Sequence, residues 1–477
     1  MKTFGNLLAF SPELWLLVGA IMVFVQARVA PRSSTTAVAL AALVLAFLAL
    51  ATQFKQTLTI LDGAFLLDGF AIVIQVVLLA ASALCLMAGG ADTLPGESRH
   101  AAEPGFFLLA TLGALLAASA AEMVSLFVAL ELLAISLYVL AGLTRRGVGG
   151  INAGLGYLVL GAASSAVLLY GLALTFGLSG DTRLPAAGQA LAALRGTQPA
   201  VLLALCLVLA GFAMRIGLLP VRWWTGGFET GVPPRVIMFA VSVGAVAAFA
   251  VFGRIAVSTF SGSHIPYAAV IAVVAALAMT AGNLLAVTQS SVRRLVVYAG
   301  IAQAGYALVA FTDLPRAGIG ALLISLTALA LTSICAFAVI IAYARSVHSD
   351  AVRDLAAMAK NTPGLAVAFG LAIVSLAGLP PVAGFFGKLL VLQAAVDGGY
   401  AWLAAVGAFN IGLAALGYVR IIRIAFVDPP VFEVAPVRLG LGVRAAVTLS
   451  CAGLVFMGAF LGPLSAAASY ARAAILH

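Results

Sequence analysis

Apolar stretches long enough to cross a hydrocarbon core, about 17 to 25 residues, follow one another along almost the whole chain with short polar breaks between them. Nowhere do they show the strict polar/apolar alternation of a barrel strand, so each reads as a helix. Fourteen spans are expected, centred near residues 19, 45, 78, 112, 132, 165, 210, 247, 277, 302, 331, 379, 413 and 454. The apolar run from 364 to 397 is nearly continuous, and a different cut gives thirteen or fifteen. The expected fold class is an all-α polytopic membrane bundle.

Two spans are interrupted alike. The seventh carries RIGLLPVRWW with Pro220 in mid-membrane, and the twelfth carries SLAGLPPVAGFFGK with Pro380 and Pro381. Proline lacks an amide donor and collides with the carbonyl four residues back, so helices 7 and 12 should break there and free backbone carbonyls. Five positions apart in span order, the two broken helices run in opposite directions. That is the footprint of two inverted five-helix repeats, residues 104–259 and 266–426, with the functional site near the breaks. The plainer reading is that Pro and Gly are commoner in membrane helices generally; two matched breaks weigh against it.

Composition agrees with a membrane protein: of 477 residues, 64% are hydrophobic and 9% charged, against roughly 25% charged in soluble domains. The net charge of +9 therefore bears on orientation and not on nucleic acid. With the N-terminus outside, sixteen Lys and Arg fall on the cytoplasmic side and seven on the other, two more lying inside spans. Both termini are expected on the non-cytoplasmic side. The four cysteines stand singly inside spans without a C-x-x-C pair, which indicates packing and neither a disulfide frame nor a metal site. No phosphate loop, dinucleotide fingerprint or in-span histidine is present, so no redox cofactor is expected in this chain.

Three ionisable residues lie deepest: Glu131 in FVALELLAISLYVLAG, Arg215, and Lys388. A charge at the bilayer centre costs at least ~2.5 kcal/mol on insertion scales, so such residues face the bundle interior, pair, and serve a pathway. Lys388 is one of four lysines, the others being terminal or in loops. A buried lysine can release a proton and an arginine cannot, which makes Lys388 the candidate titrating cation. The alternative is that these charges only fasten helices, most readily for the permanently protonated Arg215. Asp68, Glu122 and Asp397 read as interface residues at span ends, and Tyr138, Tyr157 and Tyr170 as packing residues.

ELLAISLYVLAG, NLLAVTQSSVRRLVVYAGIAQAGYALVA (283 to 310) and SLAGLPPVAGFFGKLLVL (375 to 392) together resemble the N-type antiporter-like subunits of bacterial respiratory complex I, the proton-pumping NADH:quinone oxidoreductase. The resemblance covers about residues 60 to 430; its LPP-GFF-K segment is shared with the related L and M subunits and with cation/proton antiporters. It implies a 14-helix antiporter-like fold in the inner membrane, with other complex I subunits as partners and with FMN, iron–sulfur clusters and quinone in those partners. It also implies that Glu131 is the fifth-span glutamate of a switching ion pair and Lys388 the twelfth-span lysine of a central polar axis.

The departures from that pattern are specific. Arg215 stands at the seventh-span lysine position, Gly156 at the sixth and Ala245 at the eighth; WTGGFETGVPP differs from the family's loop, and Gln303 stands where many relatives have histidine. Arg215 is expected to hold Glu131, even by a bidentate contact, without cycling a proton. A water chain between Glu131 and Lys388 would have to bridge the missing groups. Two other readings share the fold: a cation/proton antiporter subunit without a redox partner, and a non-pumping structural subunit of the same complex.

Overall fold

The structure, a computed structural model, describes residues 9–30, 34–89, 101–143, 148–194, 198–217, 232–347, 349–356, 358–429 and 439–476. The main helices are α1 (Ser11–Val29), α2 (Thr35–Thr52), α3 (Gly69–Gly89), α4 (Glu103–Ser119), α5 (Met123–Leu143), α6 (Val148–Ser179), α7 (Gln198–Arg215) and α8 (Pro234–Phe260). They continue with α9 (Tyr267–Val287), α10 (Val292–Val309), α11 (Ile319–Val347), α12 (Pro363–Ala377), α13 (Ala383–Asp397), α14 (Ala401–Phe426), α15 (Leu441–Ala459) and α16 (Gly462–Leu476). Every expected span centre falls inside one of these helices except 379, which falls in the break between α12 and α13. Among the described residues eleven helical stretches are long and apolar enough to cross a membrane, α10 and α11 forming one continuous stretch by that criterion, while α4 and α12 are shorter apolar helices. Helices are the expected solution in lipid, because each satisfies its own backbone polar groups.

The twelfth span breaks as expected: α12 ends at Ala377, Gly378 caps it at φ +82°, and the Pro380–Pro381 bond is cis. The seventh ends at Arg215, with Gly217 at φ +71°; Pro220 and most of the WTGGFETGVPP loop lie outside the described residues. The chain also contains a short hairpin, β1 (Leu58–Ile60) with β2 (Phe65–Leu67), whose register pairs Leu58 with Leu67. It anchors the start of α5: Ala121 N–H and the Ser125 hydroxyl both donate to the Ala64 carbonyl, at 2.9 Å.

Helices pack as sequence neighbours, α4 along α5, α6 along α7 and α9 along α10. One backbone detail recurs in both halves. Met123 N–H, at the start of α5, donates to Thr182 O (2.9 Å) and Leu184 N–H to Ala121 O (3.0 Å). Val292 N–H, at the start of α10, donates to Asp350 O (2.8 Å) and Val352 N–H to Ser290 O (2.8 Å).

Three sequence expectations need correction. Asp68 does not solvate at an interface: it is 1% exposed and takes both terminal nitrogens of Arg254 at 2.9 Å, while its Oδ1 caps the Ala71 N–H at 2.8 Å. Arg254 and Arg235, counted above among the basic residues on the two sides of the membrane, do not lie at its surfaces either. Both are buried, Arg235 against Glu103 at 2.7 Å, so α8 is tied to α3 and α4 near its two ends. The cysteines are not all isolated: Cys335 on α11 and Cys451 on α15 bring their sulfurs to 3.4 Å, as free thiols. Glu122 accepts from the Thr182 hydroxyl at 2.6 Å, and Asp397 is exposed as expected.

Removing one partner of a buried pair strands a charge, at a cost of about 3–5 kcal/mol, whereas replacing both is far less costly. Arg254→Leu alone is therefore expected to deplete the chain from the membrane, and Asp68→Asn combined with Arg254→Leu to restore most of it. Quantitative immunoblotting of membranes checks this; equal levels of the single and double variants would refute it.

Candidate functional site

Glu131 projects from α5 toward the C-terminal end of α7, where Arg215 is the last helical residue. A cation there is favoured by the helix dipole. Arg215 Nη2 lies 2.6 Å from Glu131 Oε1. The same carboxylate oxygen accepts from the Ser165 hydroxyl of α6 at 2.5 Å, and Arg215 Nη2 donates to Ser165 Oγ at 2.9 Å. Nη1 donates to the Leu130 carbonyl at 2.9 Å. The contact is thus a three-way knot through one carboxylate oxygen and not the bidentate fork expected from the sequence.

Arg215, but not Glu131, lines a cavity of about 150 Å³ bounded by α5, α6, α7, α8, α10 and α11. Its wall is largely apolar, with Arg215, Ser164, Tyr138 and Tyr157 supplying the polar atoms. Tyr138 is buried with its ring edge-on to Tyr157, centroids 4.9 Å apart. It reaches that position because residue 161 is glycine: a Cβ there would overlap the Tyr138 hydroxyl. Ala245, on α8, lines the cavity as a methyl group; Gly156 does not line it, and Tyr157, one residue along α6, does.

Lys388 is elsewhere. On α13, 2% exposed, it donates to the carbonyls of Leu376 (2.6 Å) and Ala377 (3.1 Å) and lies 4.5 Å from the centroid of the Tyr306 ring. Those carbonyls are at the end of α12, where the break leaves them without intrahelical donors. The turn itself requires glycine, since a Cβ on Gly378 would collide with the lysine stem and φ is positive. Gln303 joins this cluster, donating to Leu376 O at 2.8 Å. A small cavity beside Lys388 is lined by Ser325, Thr332, Ser375 and Leu329 among others, and Leu329 also lines the large one. The structure therefore brings Glu131 and Arg215 together and places Lys388 in a separate polar pocket across Leu329. Ser165 was not singled out in the sequence; a serine inside an apolar helix usually returns its hydroxyl to its own helix, as Ser136 does.

A helix ending on a carboxylate–guanidinium pair, and a broken helix exposing carbonyls to a buried lysine, define an antiporter-like transmembrane protein. The transmembrane family described as NADH:quinone oxidoreductase/Mrp antiporter matches residues 120–414. The NADH-quinone oxidoreductase subunit N of Anaeromyxobacter sp. (strain Fw109-5) is 34% identical over 95% of this chain and 94% of its own. This chain belongs to the NADH-quinone oxidoreductase subunit N family. A chain of respiratory complex I from Thermus thermophilus with bound aureothin superposes with a TM-score of 0.80 at 28% identity, covering 95% of this chain and 98% of that one. A chain of the Mrp complex from Dietzia sp. DQ12-45-1b shares the fold, with a TM-score of 0.85 at 24% identity over 97% of this chain and 96% of that one.

Ser165→Ala removes a donor to Glu131 and an acceptor for Arg215, a loss of about 1–3 kcal/mol. A lowered midpoint of thermal dissociation of the purified assembly is the expected result. Arg215→Lys is expected to leave assembly intact and Arg215→Ala to impair it on native gels, because only alanine leaves Glu131 unpaired.

Proposed function

We propose that this chain is a membrane-arm subunit of a proton-translocating NADH:quinone oxidoreductase, linking electron transfer in partner subunits to proton movement across the membrane. FMN, iron–sulfur clusters and quinone belong to those partners. The observation that carries the reading is Lys388: a lysine held by freed carbonyls inside a broken helix, in a chain whose relatives are subunit N over nearly their full length. It can give up a proton without leaving a carboxylate unpaired, and its pocket meets the cavity lined by Arg215 at Leu329. Glu131 and Arg215 form the ion pair at the other end of that line. Since a guanidinium keeps its proton, the pair changes state only by protonation of Glu131 or by separation.

The same reading includes fourteen crossings and two inverted repeats, 104–259 and 266–426. The matched two-bond ladders at the starts of α5 and α10 support the repeats. It also places the chain in a bacterial inner membrane with both termini on the non-cytoplasmic side. Setting aside the buried Arg235 and Arg254, one from each side, leaves fifteen cytoplasmic basic residues against six. A second reading, a structural subunit that does not itself pump, is favoured by Ala245, which leaves the α8 wall of the cavity without a titratable group.

Affinity purification of the tagged chain in mild detergent, with mass spectrometry and an NADH dehydrogenase assay on the same band, tests the assignment. Flavin and iron–sulfur subunits are expected in it; a band holding only antiporter-like chains would overturn it. In the assembled complex, Lys388→Ala is expected to lower the protons moved per electron pair. Unchanged pumping at normal assembly would leave the structural reading standing.

A further inference from the structure

Another buried carboxyl lies apart from this line. Glu13 is in the first turn of α1, 6% exposed, and none of its contacts lines the cavity beside Arg215. One side-chain donor reaches it: Gln75 Nε2, on α3, donates to Glu13 Oε1 at 3.1 Å and also to the Leu115 carbonyl of α4 at 3.1 Å. Both amide hydrogens of Gln75 are thereby used. Glu13 Oε2 and Gln75 Oε1 are each buried with no hydrogen-bond partner.

Among the described residues no cation is paired with Glu13. Helices α1, α2 and α4 enclose this site with α3, and α2 and α3 carry no Asp, Glu, Lys, Arg or His in their spans. The one charge on α4, Glu103, is bound to Arg235 and lies twelve residues, roughly 18 Å, from Leu115 along the helix. Arg28 is in the last turn of α1, at its opposite end. Asp68, just before α3, is bidentate with Arg254, and the Gln53 amide at the end of α2 is directed to Ala9 O and Ser11 Oγ. The α1 dipole favours an anion in its first turn, but that contribution is smaller than the cost of burying an unpaired carboxylate.

Two buried acceptors with no donor among the described residues, on side chains already joined by an amide hydrogen bond, are satisfied by a single proton. We propose that Glu13 is a proton-binding site, loaded in the resting protein, with the proton on Oε2 and donated to Gln75 Oε1. The acid and the amide then close a cyclic pair, N–H to Oε1 in one direction and O–H to Oε1 in the other. The site binds three helices, α1, α3 and α4, through one titratable group that neither Glu131 nor Lys388 touches.

Infrared spectroscopy of the assembled complex at neutral pH, wild type minus Glu13→Gln, tests this without redox turnover, so its outcome is independent of whether the chain pumps. The variant is expected to lose an un-ionised acid carbonyl band that shifts on transfer to heavy water. Loss of carboxylate stretching bands in its place would overturn the proposal. Should Glu13→Gln fail to assemble, Gln75→Leu serves as the second variant, because it removes the amide partner of the acid. The acid band is expected to move to higher frequency, and a spectrum with no such shift would equally overturn the proposal.

Discussion

An ionised carboxylate inside an apolar bundle has to be answered by the protein itself, and the answer to Glu131 is the 2.6 Å contact with Arg215. Much of the first half of the chain follows from it. A guanidinium has five donors in a fixed fork, so one carboxylate oxygen cannot satisfy it. Leu130 O and Ser165 Oγ take two further donor contacts, which fixes the mutual setting of α5, α6 and α7. Helix α7 has to end where it does, because the cation and the helix terminus occupy the same place. A lysine at this position would make fewer bonds and hold the three helices less rigidly.

The second half meets the same constraint differently. Lys388 has carbonyls and an aromatic face instead of an anion, and those carbonyls are available because the chain breaks between Ala377 and Ala383. Proline placement, freed backbone and buried amine form one causal sequence. The chemical result is asymmetric. Separating Arg215 from Glu131 leaves two charges in a low-dielectric place, whereas loss of a proton from Lys388 leaves only neutral dipoles. Proton exchange is thus easier to accommodate at Lys388 than at the Glu131–Arg215 pair.

Much of this was legible in the sequence, for identifiable reasons. Uninterrupted apolar runs located the helices, since hydrophobic length is a local property; the proline pairs located the break in the twelfth span for the same reason. What escaped was pairing at long range. Asp68 and Arg254 are 186 positions apart, and each alone looks like a charge at a span end. The Cys335–Cys451 contact spans 116 positions with no motif to announce it. Adjacent residues on a helix point about 100° apart, so Gly156 faces away from the cavity while Tyr157, one residue along, lines its wall. Ser165 carried no signal, because its cross-helix bond depends on where Glu131 lands and not on its own neighbours.

Helix α8 connects these observations. Arg235 and Arg254 tie it to α4 and α3, while residues Ala240–Gly244 between them adopt a π turn and, with Ala245, contribute to the cavity wall. A π turn fits an extra residue into one turn and re-aims the side chains that follow. Buried ion pairs add little net stability over apolar replacements, so their value here is positional: they set the register of a helix whose middle is irregular. With its ends held, α8 cannot slide inward to fill the space that a larger side chain at position 245 would occupy. The cavity beside Glu131 and Arg215 is therefore kept open by charges that do not line it, and the small residue enlarges the site instead of collapsing it.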